Sequence, residues 1–139
     1  QHQKVLEVLE FLEILELKDK KVHQMSTGQL RRCIIGRALI HDPKAFILDE
    51  PTVGLDIKSQ HSFIKLIQKL SKSASIIIVT HHIEEIFEEI THVALIHNKT
   101  IFKQGKKEDI LTSKNLSEIF EIDIDLQKEN ERYYIKSIK

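Results

Sequence analysis

A broad apolar face opens the chain: Val5, Leu6, Leu9, Leu12 and Leu15, with Val8, Phe11 and Ile14 beside them. Glu7, Glu10, Glu13 and Glu16 return every three residues on the other side. That spacing predicts an amphipathic helix over residues 3–17, closed by the polar run Lys18-Asp19-Lys20-Lys21. Ser26 then stands as an N-cap before Leu30, Cys33, Ile34, Ala38 and Leu39, whose helical spacing carries a second helix to about His41. Asp42-Pro43 closes it, because the residue before a proline is pushed out of the helical region. Lys44–Leu48 and Ser75–Thr80 are short continuous apolar runs, predicting buried strands of a sheet covered on both faces. Between them Phe63, Ile64, Ile67 and Leu70 mark a helix over residues 57–71. Strands alternating with helices imply an α/β fold, a parallel sheet joined by right-handed crossovers.

The second half changes character. His82–Glu89 sets four glutamates around Ile83, Ile86 and Phe87 and predicts a short surface helix. His92–His97 and Thr100–Gln104 flank Asn98-Lys99, a hairpin signal. Lys107–Leu111 and Asn115–Phe120 predict two short helices. Ile122, Ile124 and Leu126 alternate with polar residues, as do Tyr133 and Ile135, predicting a second hairpin that turns near Glu129-Asn130. No internal repeat or low-complexity stretch interrupts this order.

One turn carries candidate chemistry. The apolar strand runs into Asp49-Glu50 and is then broken by Pro51 and Gly54, so two carboxylates stand at a strand's C-terminal end. Open α/β sheets place ligands there. Paired oxygen donors suit magnesium beside a base that orients water, and an ordinary strand end with solvated acids has the same appearance. Ser26 and Gly28 open a helix whose N-terminus is a ready anion site, although a plainly capped helix reads alike. Asp56 reads as an N-cap for the helix beginning near Ile57. His81 and His82 end the second strand; adjacent residues diverge there, which argues against a metal held by the pair.

Composition narrows the classes. With 139 residues the chain holds one domain's worth of core, and 21 basic residues balance 21 acidic ones. No net field points to nucleic acid or an anionic membrane. Arg31, Arg32 and Arg37 read as a solvated helix face with local ion pairs. The single cysteine, Cys33, forms no intramolecular disulfide, fits a reducing setting and falls among apolar positions as a small core residue. No apolar run reaches the ~18 residues of a membrane span. The polar start Gln1-His2-Gln3 lacks a signal peptide and an initiator Met, and reads as a processed, trimmed or fragmentary chain.

The string Ala45-Phe46-Ile47-Leu48-Asp49-Glu50-Pro51-Thr52-Val53-Gly54-Leu55-Asp56 resembles the Walker B segment and D-loop of an ABC-type ATPase. Met25-Ser26-Thr27-Gly28-Gln29-Leu30-Arg31-Arg32 resembles the family's signature, Leu-Ser-Gly-Gly-Gln followed by basic residues. Ile76-Ile77-Ile78-Val79-Thr80-His81 resembles its strand and switch histidine, and Val93–Ile101 the hairpin with which many such domains close. Order and spacing agree over roughly residues 4–112. The resemblance implies a parallel sheet flanked by helices of the P-loop NTPase kind, present as a partial domain with a small C-terminal hairpin. It implies a remainder of the helical subdomain in residues 1–43, the C-terminal part of the ATPase core in 44–112 and an extension in 113–139. It assigns magnesium to Asp49, the attacking water to Glu50 and the γ-phosphate of ATP to His81. Ser26, Thr27, Gly28 and Gln29 would touch a nucleotide held mainly by a second, facing ABC ATPase subunit, which Asp56 would also meet. A transmembrane permease would be the other partner, with the chain cytoplasmic and peripheral on the inner face of the membrane; nucleic acid is not expected. Two departures stand out: Met25 replaces the leading Leu, a mild change, and Thr27 replaces the first Gly, putting a side chain where the phosphate comes close.

The phosphate-binding pattern Gly-x-x-x-x-Gly-Lys-Ser/Thr begins at none of Gly28, Gly36, Gly54 and Gly105. The adenine-stacking aromatic and Q-loop glutamine, which precede the signature in the family, are likewise missing. The resemblance is therefore to the C-terminal half of a nucleotide-binding domain, and the expectation is that this chain alone does not hydrolyse ATP. The strands that would cover Phe46–Leu48 and Ile76–Val79 are missing with that half, which predicts self-association or a partner that supplies them. Two other readings stand beside a transporter ATPase: a non-catalytic interaction module, and a non-transport ABC ATPase acting in translation or DNA maintenance.

Overall fold

The computed structural model describes residues 2–139; Gln1 lies outside them. The chain divides into two compact units, residues 1–80 and 81–139.

In the first unit α1 spans His2–Phe11, well short of the predicted 3–17. Its end is set by Glu13, which adopts a left-handed conformation (φ 58°). Glu13 N–H donates to Glu10 O at 2.9 Å and Ile14 N–H to Leu9 O at 2.9 Å, the paired bonds that close a helix in the Schellman manner. Leu12 and Ile14, on either side of this corner, both end up buried, and a short 3₁₀ turn at Leu15–Leu17 follows. A second 3₁₀ turn, Val22–Gln24, leads into α2, Thr27–Leu39. Gly36 lets α1 and α2 approach closely, since a Cβ there would stand 2.7 Å from Leu12 Cδ1. Strand β1 (Ala45–Asp49), helix α3 (Ile57–Leu70) and strand β2 (Ser75–Val79) complete the unit. α3 buries Phe63, Leu66, Ile67 and Leu70.

β1 and β2 pair in parallel from Ala45↔Ser75 to Asp49↔Val79, as the alternation of strand and helix predicts. They were expected to be covered on both faces, and only one is: Phe46 is buried, whereas Ile47, Ile77 and Val79 are 72%, 53% and 49% exposed. Successive side chains of a strand point to opposite faces, so with one face covered alternate apolar residues meet solvent.

The second unit begins with a 3₁₀ turn at Ile83–Glu85 in place of the predicted surface helix over 82–89. Ile83 is drawn into the unit's core, and Glu85 and Phe87 are buried as well, so the segment is not a solvated face. β3 (His92–His97) and β4 (Thr100–Lys106) form the predicted hairpin. Asn98 and Lys99 both take positive φ, 49° and 62°, as a two-residue turn that follows strand twist requires. α4 (Lys107–Ile110), α5 (Ser113–Phe120), β5 (Ile124–Glu129) and β6 (Arg132–Ile138) follow. β5 and β6 pair antiparallel around Asn130-Glu131, one residue beyond the predicted turn. The core joins Ile83, Leu95, Ile110, Leu111, Leu116, Ile124 and Tyr133.

Polar groups hold this unit at particular points. Lys107 is buried, and its ammonium donates to the carbonyls of Phe87 (3.2 Å) and Glu88 (2.9 Å). Buried Asn115 donates to Ile110 O at 2.8 Å and accepts from Lys103 at 2.6 Å. On α5, Ser113 and Ser117 accept from the backbone N–H groups of Leu126 (3.0 Å) and Ile124 (2.9 Å), satisfying the β5 edge that β6 leaves open. Among the described residues no helix is long and apolar enough to cross a membrane.

Candidate functional site

Ser26 is the N-cap of α2, and Gln29 completes a reciprocal capping box with it. Gln29 N–H donates to Ser26 Oγ at 3.2 Å, and Ser26 N–H donates to Gln29 Oε1 at 3.0 Å. Lys20 reaches the same Oε1 at 3.4 Å. The side chains of Ser26 and Gln29 are thus occupied in shaping the helix start, while a first turn leaves the N–H groups of Thr27 and Gly28 without intrahelical acceptors. Those two amides, with the positive end of the helix dipole, are the elements suited to an anion. A Cβ on Gly28 would meet only ordinary contacts, Leu55 Cδ2 at 3.7 Å and Ser59 at 3.8 Å. Crowding therefore does not demand glycine at this position.

The acidic turn follows from β1. Asp49 is exposed at the strand's last residue, opposite Val79. Glu50 extends the ladder by one bond, its N–H donating to Val79 O at 2.8 Å, and then turns into the left-handed region at φ 44°. Pro51 ends the ladder as predicted. Val53 N–H closes back on Glu50 O at 3.3 Å and Leu55 N–H on Thr52 O at 3.1 Å. Gly54, at φ 77°, takes a backbone shape that suits a residue without Cβ. Asp56 then caps α3: Ser59 N–H donates to Oδ1 at 3.0 Å and Ser59 Oγ–H to Oδ2 at 2.6 Å. The Ser59 hydroxyl, followed by the Ser59 amide, holds the Asp56 carboxyl below the usual carboxylate range.

Within the first unit the structure brings the α2 start, the acidic turn and the α3 cap together, through Gly28 against Leu55 and Ser59. His81 lies in the second unit, its ring centroid 4.1 Å from that of His82. Cys33 is half-buried and its thiol donates to Met25 Sδ at 3.6 Å; burial pushes its pKa up, which suits an inert thiol.

Two residues have roles that the charge pattern did not reveal. Arg31 and Arg32 were expected on a solvated face, yet both turn inward to carbonyl oxygens. Arg31 donates to the carbonyls of Glu50 (3.1 Å), Pro51 and Val53. Arg32 donates to Leu12 O at 2.6 Å and to Ser62 Oγ, with Glu13 at 3.6 Å. The carbonyls at helix ends and tight turns are acceptors that no residue type announces, so a count of charges misses them.

A family model described as ABC transporter matches residues 1–53. The energy-coupling factor transporter ATP-binding protein EcfA2 of Bacillus cereus is 34% identical over 105 residues, covering 74% of this chain and 35% of that protein. CbiO1 of Clostridium perfringens, part of the ABC transporter complex cbiONQ, superposes with a TM-score of 0.72 at 32% identity, covering 84% of this chain and 47% of that one. The ATP-binding cassette MJ1267 of an ABC transporter gives 0.75 at 29% identity, covering 86% and 49%. The chain spans 35% to 45% of the length of the curated relatives it matches first. With 34% identity to such an ATP-binding protein over 74% of its length and a matching fold, the chain belongs to the ABC-type ATPase family.

Proposed function

We propose that this chain is the signature- and acid-bearing portion of an ATP-binding, ATP-hydrolysing subunit of an ABC transporter. The observation that carries the reading is the grouping of the α2 start, the Asp49-Glu50 turn and the Asp56 cap within one unit. In this reading the Thr27 and Gly28 amides, with Ser26 and Gln29 shaping the turn, receive the γ-phosphate of a nucleotide on a facing ABC ATPase subunit. Asp49 fits magnesium, which takes carboxylate oxygen and water; when bound, the ion neutralises charge on the phosphates. Glu50 orients the attacking water, a positioning task that its half-buried, backbone-fixed place suits. His81 donates to a phosphoryl oxygen. Asp56, its carboxylate locked by Ser59, presents the loop before it to the facing subunit. The Thr27 methyl and hydroxyl narrow the approach to the amides, which lowers affinity or rate relative to glycine.

No phosphate-loop pattern lies in residues 1–139, so we place the triphosphate cradle on a segment supplied from elsewhere. We assign a membrane permease as the other partner, with the chain cytoplasmic on the inner face of the membrane; the relatives' names support a transporter's ATP-binding subunit within a complex. The test is Mg-ATP turnover by the chain assembled with a phosphate-loop-bearing segment of a relative. The assembly is expected to hydrolyse ATP, the chain alone is not, and Glu50→Gln is expected to lower turnover about 100-fold or more. Turnover by the purified chain alone, lost in Glu50→Gln, would overturn the need for an outside phosphate loop.

A further inference from the structure

We infer that Arg31 is a positioning residue for Glu50, a role that rests on the reading of Glu50 proposed above. Arg31 lies in the second turn of α2, five residues after the cap Ser26. Its Nη1 donates to the carbonyls of Glu50 and Pro51, and its Nη2 to the carbonyl of Val53. One guanidinium fork therefore gathers three acceptors from four consecutive residues of the acidic turn. These are the residues whose shape most needs holding. Glu50 sits at φ 44°, a conformation that a residue with a Cβ rarely adopts, and Val53 N–H closes the turn beyond it on Glu50 O at 3.3 Å. Three charge-assisted bonds from a neighbouring helix stabilise that shape and limit the directions in which the Glu50 carboxylate can point.

The same side chain makes a mechanical link. Its helix opens with the amides assigned to the phosphate of a facing subunit, and its far end grips the turn that orients water. A shift of the α2 start on meeting a phosphate is transmitted along a rigid helix to the backbone of Glu50. Arginine suits this task where lysine does not, because a planar fork spans several acceptors and an ammonium is a single point donor.

The test uses two measurements. In the chain assembled with a phosphate-loop segment, Arg31→Ala is expected to lower kcat about tenfold or more while KM for Mg-ATP moves less than about threefold. Arg31→Lys should recover only part of that loss. Unchanged kcat in Arg31→Ala, or full recovery by lysine, would overturn the role. Amide hydrogen exchange on the chain alone supplies the second measurement, which does not depend on catalysis. Arg31→Ala is expected to speed exchange at Val53 and Leu55 about tenfold, with Ile67 and Leu70 of α3 unchanged. If the wild-type assembly shows no turnover, the functional reading fails, and the exchange result still decides the link: no change at Val53 and Leu55 overturns it.

Discussion

Asp56 shows how a single side chain serves a fold and a candidate function together. Both carboxylate oxygens are taken by Ser59, through its amide and its hydroxyl, so the group works as a helix cap with its charge retained. These bonds depress its pKa, and the stabilisation they give is therefore present above the unfolded value of about 3.9 and is lost as pH falls through the lower folded value. Asp56→Ala is expected to lower the melting temperature at pH 7, and the gap from wild type should shrink below about pH 4. A gap that widened in acid would contradict the assignment. The cap was readable from sequence because aspartate before a helical run has a local meaning. Glu13 and Glu50 were not readable in the same way. Both take left-handed backbone without being glycine or asparagine, and only surrounding bonds specify that shape. Arg31 was missed for a related reason, since its acceptors are backbone atoms brought near by the α2–β1 connection.

At the scale of elements, starts were more readable than ends. Ser26 and Asp56 fixed where α2 and α3 begin, and Asn98-Lys99 fixed the first hairpin. The end of α1 had no glycine to mark it, so the apolar stripe alone ran the predicted helix six residues too far, to 17 instead of Phe11. The segment after β2 was misread because its glutamates suggested a surface, whereas Ile83 joins the core and Lys107 binds the carbonyls that follow. Lys107 is the element-level determinant there: it starts α4 and pins the stretch from Phe87 to Thr91, its own N–H donating to Thr91 O at 2.9 Å. Lys107→Met keeps most of the volume but takes the ammonium from two carbonyls, of which Phe87 O still accepts from Ile90 N–H at 3.2 Å. The expected loss is roughly 1–3 kcal/mol by denaturant unfolding, with no change in the melting of α2 or α3 when these are followed separately. A neutral Lys107→Met would mean that water replaces the ammonium without cost.

For the whole molecule the telling feature is the sheet of the first unit. The apolar runs of β1 and β2 were recognised as strands from their composition, and their composition also states what the two-stranded sheet leaves unmet. Ile47, Ile77 and Val79 face solvent on one side, and among the described residues no further strand pairs with either outer edge. The chain alone is expected to self-associate as concentration rises, followed by light scattering, and Ile47→Lys with Ile77→Lys should suppress it. A monodisperse monomer at high concentration would contradict that expectation. The sequence motifs were legible because they are local strings; the exposure was legible only through what is missing, since among the described residues the other four strands pair in sheets of their own.

The central claim is that this chain contributes a signature and an acidic turn to a nucleotide site whose phosphate loop lies elsewhere. Calorimetry of Mg-ATP with the chain, alone and then mixed with a cassette carrying an intact phosphate loop, tests it most directly. The account predicts no binding by the chain alone and nucleotide-dependent association in the mixture, weakened by substitutions at Ser26 or Gly28. Binding by the chain alone, or no association with nucleotide present, would contradict it.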